Sequence, residues 1–390
     1  MNCLATRKKF KNKHPAWTDP SDPEALAEAE KVYEKDQQRH SSSSSSESDD
    51  DDLVVAGDIR SKKASLDSKN LKFKHVVDIN NERSFHGSVK RVQFHPNSKM
   101  ALVTLFKNQA DLFEIDGERN RHIQNIKIPY TKKPFCSFKP DGNHIVISSE
   151  NYRGNFYSYD MVSGAIRKYA LKVGKDSKDI TDFVIHGDYM ACRYEGNSEI
   201  IVISSKTYET FFTLKLNEPA LAIKFTSKNE IMIAGEDARV YIWDLRKTSL
   251  CKHKFQDEGS VHTSSFAISE VSRSLSLGSD CGVVNTYDLN DCYESKFPTP
   301  IKTYRNLKES VSLLTYNHSG ELLLMNSSAQ FEGFRLAHAL SGTVYRNFPV
   351  PGKRYGKLNG ADFSPHDGYL ALGCSSGRAH LCRIPCYKTY

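Results

Sequence analysis

Apolar residues along most of this chain come in short runs of about five to eight positions, broken by Gly, Pro, Asn, Asp and Ser. Runs of that length between turn residues predict β-strands rather than helices. A larger unit recurs on top of this alternation: an apolar residue, one spacer, an aromatic, a turn and a second apolar run. It stands at RVQFHPNSKMALVTL, PFCSFKPDGNHIVIS, ITDFVIHGDYMACRY, AIKFTSKNEIMIAG, TSSFAISEVSRSLSLG, LLTYNHSGELLLMN and GADFSPHDGYLALG. The aromatics are Phe94, Phe138, Phe183, Phe225, Phe266, Tyr316 and Phe363, at intervals of 44, 45, 42, 41, 50 and 47 residues. A third strand follows in each unit, in ADLFEID, GNFYSYD, SEIIVIS, ARVYIWD, GVVNTYD, FEGFRLA and GRAHLCRI.

Seven units of several short strands at this period predict an all-β fold, a seven-bladed β-propeller. One such sheet has too little apolar surface to stand alone, so its neighbour must cover it. Two packed sandwiches would not require so steady a period. The seventh unit lacks sequence for a fourth strand. The segment LKFKHVVDI, residues 71–79, has strand composition and is expected to complete the last blade, leaving no open sheet edge. The predicted propeller therefore occupies residues 71–390.

Residues 1–70 differ in composition. They open basic, pass through PAWTDPSD, and reach SSSSSSESDDDD, where a serine run precedes five acids in six residues; such a segment is expected to remain a disordered tail. The 390 residues carry 38% hydrophobic and 11% aromatic side chains, ample for a core. No apolar run approaches the roughly 18 residues of a membrane span, and the N-terminal stretch lacks the apolar centre of a signal peptide, so a soluble, unsecreted protein is expected. Nine cysteines without paired spacing fit reduced thiols. Residues 1–70 hold 12 Lys and Arg against 14 Asp and Glu, whereas the remainder holds 42 against 33, a net of +9. A moderately basic folded part admits a polyanionic partner.

Catalytic signatures are absent from the sequence: there is no nucleophile elbow, Walker loop, zinc-protease helix or dinucleotide-binding glycine turn. His95, His186, His318 and His366 recur after the marker aromatics, but whole-blade spacing separates them, so they read as surface-turn residues. Asp116, Asp160, Asp244 and Asp288 end third strands and read as acceptors for turn N–H groups. His380, Cys382 and Cys386 in HLCRIPC lack a fourth ligand and read as strand and terminus residues. No metal, cofactor, membrane or small-molecule substrate is expected.

Several segments resemble the WD40 family, with Trp243-Asp244 as the intact WD pair. YSYDMVSGAIRK, FQDEGSVHTSSFAIS, LGSDCGVVNTYD, RNFPVPGK and ADFSPHDGYLALGCSSGRAHLCRI, with PAWTDPSD in the tail, resemble in order a nucleolar branch of it, the eighteenth of the U3 small nucleolar RNA-associated protein families. The resemblance implies a non-catalytic scaffold of the small-subunit processome in the nucleolus. Its partners would be other propeller proteins, U3 snoRNA and the precursor of small-subunit rRNA. It also implies a tail motif that recruits the helicase serving the nuclear exosome, here at DDLVVAGD with Leu53, Val54, Val55 and Asp58.

Other expectations come from the residues themselves. Arg7, Lys8, Lys9, Lys11 and Lys13 form a basic cluster suited to nuclear or nucleolar targeting. Ser46 and Ser48 precede acids and fit acid-directed phosphorylation. Lys132, Lys133, Lys353, Arg354 and Lys357 are candidates to meet RNA phosphates, with Tyr355 as a stacking face. The alternative function is a substrate receptor of a cullin-four ubiquitin ligase, from the W-D-x-R pattern of Trp243, Asp244, Leu245 and Arg246.

Overall fold

Six of the repeated units fold as four-stranded antiparallel meanders, and the seventh as three strands joined by a fourth from outside the unit. The computed structural model describes residues 66–387 apart from residues 84, 86, 129–133, 149–154, 171–179, 195, 228 and 351–352. Among these residues there are seven such sheets. The first comprises Val89–Phe94, Met100–Leu105, Gln109–Glu114 and His122–Lys127. The first strands of successive blades touch one another, except that blade three's first strand meets the second strand of blade two, and that of blade seven touches that of blade one, so the sheets close into a ring. This is the seven-bladed propeller that the period implies.

Burial within a blade follows from its two neighbours. Second strands such as Tyr369–Cys374 are buried throughout, since both faces are covered. Their sequences are accordingly continuous apolar runs. Fourth strands such as Thr210–Lys215 are mostly exposed on the rim. The core divides into seven clusters, each made by a pair of adjacent blades. Five of the seven marker aromatics are nearly fully buried in them; Phe225 and Tyr316 are half-buried. Each buried aromatic contributes about 1.5–3 kcal/mol, and only while the neighbour is there to cover it.

Polar braces cross the same boundaries. Asp362 of blade seven accepts the Phe94 N–H at 2.8 Å, and Asp367 accepts those of His318 and Ser319 at 2.7 and 2.8 Å. His95 corrects the expectation of surface-turn histidines. It is buried, its Nε2 meets the Gly142 carbonyl at 2.9 Å, and its Nδ1 accepts from the Asn97 and Ser98 N–H groups. Gly142, at φ +76, presses against that ring; a Cβ there would come within 2.5 Å of it. His186 stacks on Phe225 of the next blade, while His318 and His366 are exposed.

The turns after the third strands share one device. Asp116 accepts from the N–H groups of residues 118, 119 and 120, Asp160 from 162 and 163, Asp244 from 246, and Asp288 from 290. Blade three has no Asp in this place; the Ser204 hydroxyl accepts from residues 206 and 207 instead. The two longest intervals in the sequence also have visible causes. Blade five inserts the helix Leu289–Glu294 before its fourth strand, and the connection from blade six to seven, residues 345–357, is long.

The fourth strand of blade seven is supplied by Lys74–His75, with Lys74 opposite Arg383 and His75 opposite Cys382. The pairing extends through Val76 and Ile79, whose N–H groups donate to Leu381 and Ala379, to Asn80, whose amide bonds Gly377 and Ala379. Leu71 enters the cluster between blades six and seven, and Ile79 the cluster between seven and one. Packing begins ahead of residue 71: Leu66 joins the first of these clusters, and the Ser68 carbonyl accepts from the Thr343 hydroxyl. Deleting residues 71–79 should therefore lower the melting temperature sharply. Ile79→Ala alone should cost about 2–5 kcal/mol in denaturant unfolding; an unchanged midpoint would contradict this closure.

Candidate functional site

An antiparallel meander places its connections on two faces. Those between strands one and two and between three and four share one face; those between two and three, and from one blade to the next, share the other. The channel between the faces, a cavity of about 750 Å3, is lined by the first strands. Its charges are mixed, Lys90, Arg91, Lys139, Arg193 and Lys224 against Asp182 and Asp362, and desolvation pushes the Asp362 carboxyl up. The second face is basic as well. Around blade six it carries residues 305–312, 327–333 and 345–357, which hold Arg305, Lys308, Arg346, Lys353, Arg354 and Lys357 against Glu309 and Glu332.

The structure sorts the predicted RNA-contact residues. Arg354 is exposed and Lys357 half-buried, with Nζ 5.2 Å from the centre of the Phe331 ring. Lys353 turns inward: its Nζ lies 3.0 Å from His75 Nδ1 and 3.5 Å from Asp78 Oδ1. Tyr355 must be corrected. It is 1% exposed, its hydroxyl meets His75 Nε2 at 2.5 Å, and its ring packs edge-on against Phe334 and His380. A ring so enclosed cannot stack on a base. The neighbouring exposed aromatic is Phe331, at 72% exposure, which the sequence reading passed over because SSAQFEG carries no periodic signal for exposure. Lys132 and Lys133 lie outside the described residues, as do all the tail positions: Arg7, Lys8, Lys9, Lys11, Lys13, Ser46, Ser48, Leu53, Val54, Val55 and Asp58.

The remaining candidates have structural partners. His380 is buried with Nδ1 2.8 Å from Asp78 Oδ1; Cys382 lies in the core, where burial pushes its thiol up to about 12; Cys386 is exposed. Among the described residues, no three His, Cys, Asp or Glu side chains are grouped to hold a metal. Arg246 is exposed, but its guanidinium is paired twice with Asp244, at 3.0 and 2.8 Å, which holds that carboxyl down at about 2.

Seven four-stranded blades around a channel, with capped third-strand turns and an N-terminal strand completing the last blade, define a WD40-type β-propeller. No family model matches the chain. It is 32% identical over 337 residues to the human U3 small nucleolar RNA-associated protein 18 homolog, covering 86% of this chain and 60% of that protein. The Drosophila melanogaster homolog of the same name is 31% identical over 336 residues, covering 85% and 65%. The U3 small nucleolar RNA-associated protein 18 of Saccharomyces cerevisiae is 24% identical over 380 residues, covering 85% and 63%. The chain is thus similar over most of its length to proteins bearing this name, as its segments implied, and spans about three fifths of the length of these relatives.

His75 stands in the cluster behind the basic face. Burial, then the charges of Lys353 and His380, hold the His75 imidazole below its usual value, so the folded state favours neutral His75. A proton taken up more readily by the unfolded chain destabilises the fold as pH falls. The contribution is complete above about pH 6.5 and is lost on acidification below it. The expected result is a melting temperature that drops between pH 7 and pH 5.5, with part of the drop removed in His75→Asn. The same pH profile in both proteins would contradict it.

Proposed function

We propose that this chain is a non-catalytic scaffold subunit of the nucleolar small-subunit processome, acting in U3 snoRNA-dependent maturation of small-subunit rRNA. The observation that carries this is its similarity to relatives named U3 small nucleolar RNA-associated protein 18 in animals and yeast, over 85–86% of its length. A closed wheel suits the task. Its side chains are committed to holding blades together, while two faces and a rim remain for other propeller proteins and for RNA. The basic sector around blade six matches a phosphate backbone in charge. Purification of the tagged chain from nucleoli should enrich U3 snoRNA and small-subunit rRNA precursors together with other propeller proteins. Enrichment of a ubiquitin-ligase adaptor without U3 RNA would overturn the proposal in favour of the substrate-receptor function.

The tail adds recruitment to the same function. Leu53, Val54, Val55 and Asp58 form an apolar patch between acids, suited to folding against the exosome-associated helicase. The basic cluster from Arg7 to Lys13 supplies the nucleolar address, and Ser46 and Ser48 accept phosphate. Pull-down with residues 1–70 should retain the helicase and lose it after Leu53→Ala with Val54→Ala; equal retention by both tails would rule out the motif.

A further inference from the structure

A second cavity, of about 490 Å3, opens beside blade six on the basic face. That volume lies within the range of roughly 300–1,000 Å3 typical of small-ligand sites. Phe331 forms part of its wall and is 72% exposed, although Lys357 Nζ sits over the ring at 5.2 Å. A large apolar ring held open to water with a cation beside it has the features of a stacking platform for a π-system attached to negative charge. The polar wall is amide-rich: Asn306 and Gln330 both line it. A carboxamide carries a donor and an acceptor side by side, a pairing suited to the edge of a base. Arg346, exposed at the same cavity, carries a fork matched to phosphate. The one carboxylate in the wall, Glu332, is occupied, accepting the Tyr355 N–H at 3.3 Å.

We propose that this cavity is a nucleobase-binding site. One unpaired base of a single-stranded RNA stacks on Phe331, its edge is met by Gln330 and Asn306, and its phosphates lie against Arg346 and Lys357. The inference rests on the RNA contact suggested for this face and specifies where and how a base is held. It also supplies the stacking aromatic that Tyr355, buried in the cluster between blades six and seven, cannot be.

The test uses the full chain and a fluorescent 12-nucleotide cytidine RNA, alongside an abasic oligomer of the same length and charge. Phe331→Ala should weaken RNA binding about tenfold, as loss of one base–aromatic stack does, and leave the abasic oligomer's affinity unchanged. Phe331→Trp should keep RNA affinity. Arg346→Glu should weaken both ligands and flatten the salt dependence. Phe331 is exposed, so its variants should melt with the wild-type chain. RNA binding that is salt-dependent but indifferent to Phe331→Ala and to missing bases would overturn the base site while leaving a phosphate contact in place. No binding of either ligand by the wild-type chain would overturn the base site and direct RNA contact by this face together. Equal or tighter binding of an acidic peptide, equally lost in Phe331→Ala, would make the cavity a protein-docking site and also overturn the proposal.

Discussion

The constraint on which everything else depends is that the apolar core lies between blades and not within them. Each of the seven clusters takes side chains from two adjacent sheets, so a blade without its neighbour exposes half of two cores. A ring of such units has no stable partial form with two good ends. This is why the segment ahead of blade one returns to pair with Ala379–Arg383, and why Leu71 and Ile79, eight residues apart, enter different clusters. The same geometry directs polar groups. Asp362, Asp367 and His95 serve as braces between neighbours, because a buried donor or acceptor at a blade boundary must find its partner across it.

The fold was legible because it is periodic. Marker aromatics at near-constant spacing revealed the blades, and continuous apolar runs such as YLALGC revealed strands buried on both faces. Asp116, Asp160, Asp244 and Asp288 were legible as turn caps, since a short carboxylate after a strand has few other uses. The cap in blade three was not: Ser204 does the same task with a hydroxyl, and serine is too common in strands and turns to stand out. The position of His95 after the marker aromatic resembles an exposed turn; the approach of Phe138 and Gly142 from the next blade encloses it.

The functional face was legible in charge and not in detail. PGKRYGK reads as a basic loop with an aromatic at its centre, which is how it was assigned to RNA. In the fold the loop's aromatic turns inward beneath it, Lys353 follows toward Asp78, and Arg354 and Lys357 stay near the surface. Sequence alone cannot separate these orientations because the connection has no strand period to fix which side chain faces out. Phe331 shows the reverse case: an aromatic in a loop would be expected to bury, and it is exposed while Phe334 and Phe348 fill the cluster between blades six and seven.

The central claim, that the wheel is one cooperative body sealed by its N-terminal strand, is tested most directly at a distance from the seal. Trp243 lies in blade four and Ile79 between blades seven and one, and Trp17 in the tail is the only other tryptophan. In a Trp17→Phe background, the fluorescence of Trp243 followed through denaturant should report a single transition. Ile79→Ala should shift that transition as far as it shifts the circular dichroism of the whole sheet. A Trp243 transition that stays in place while the circular dichroism moves would show blades folding independently and contradict the account.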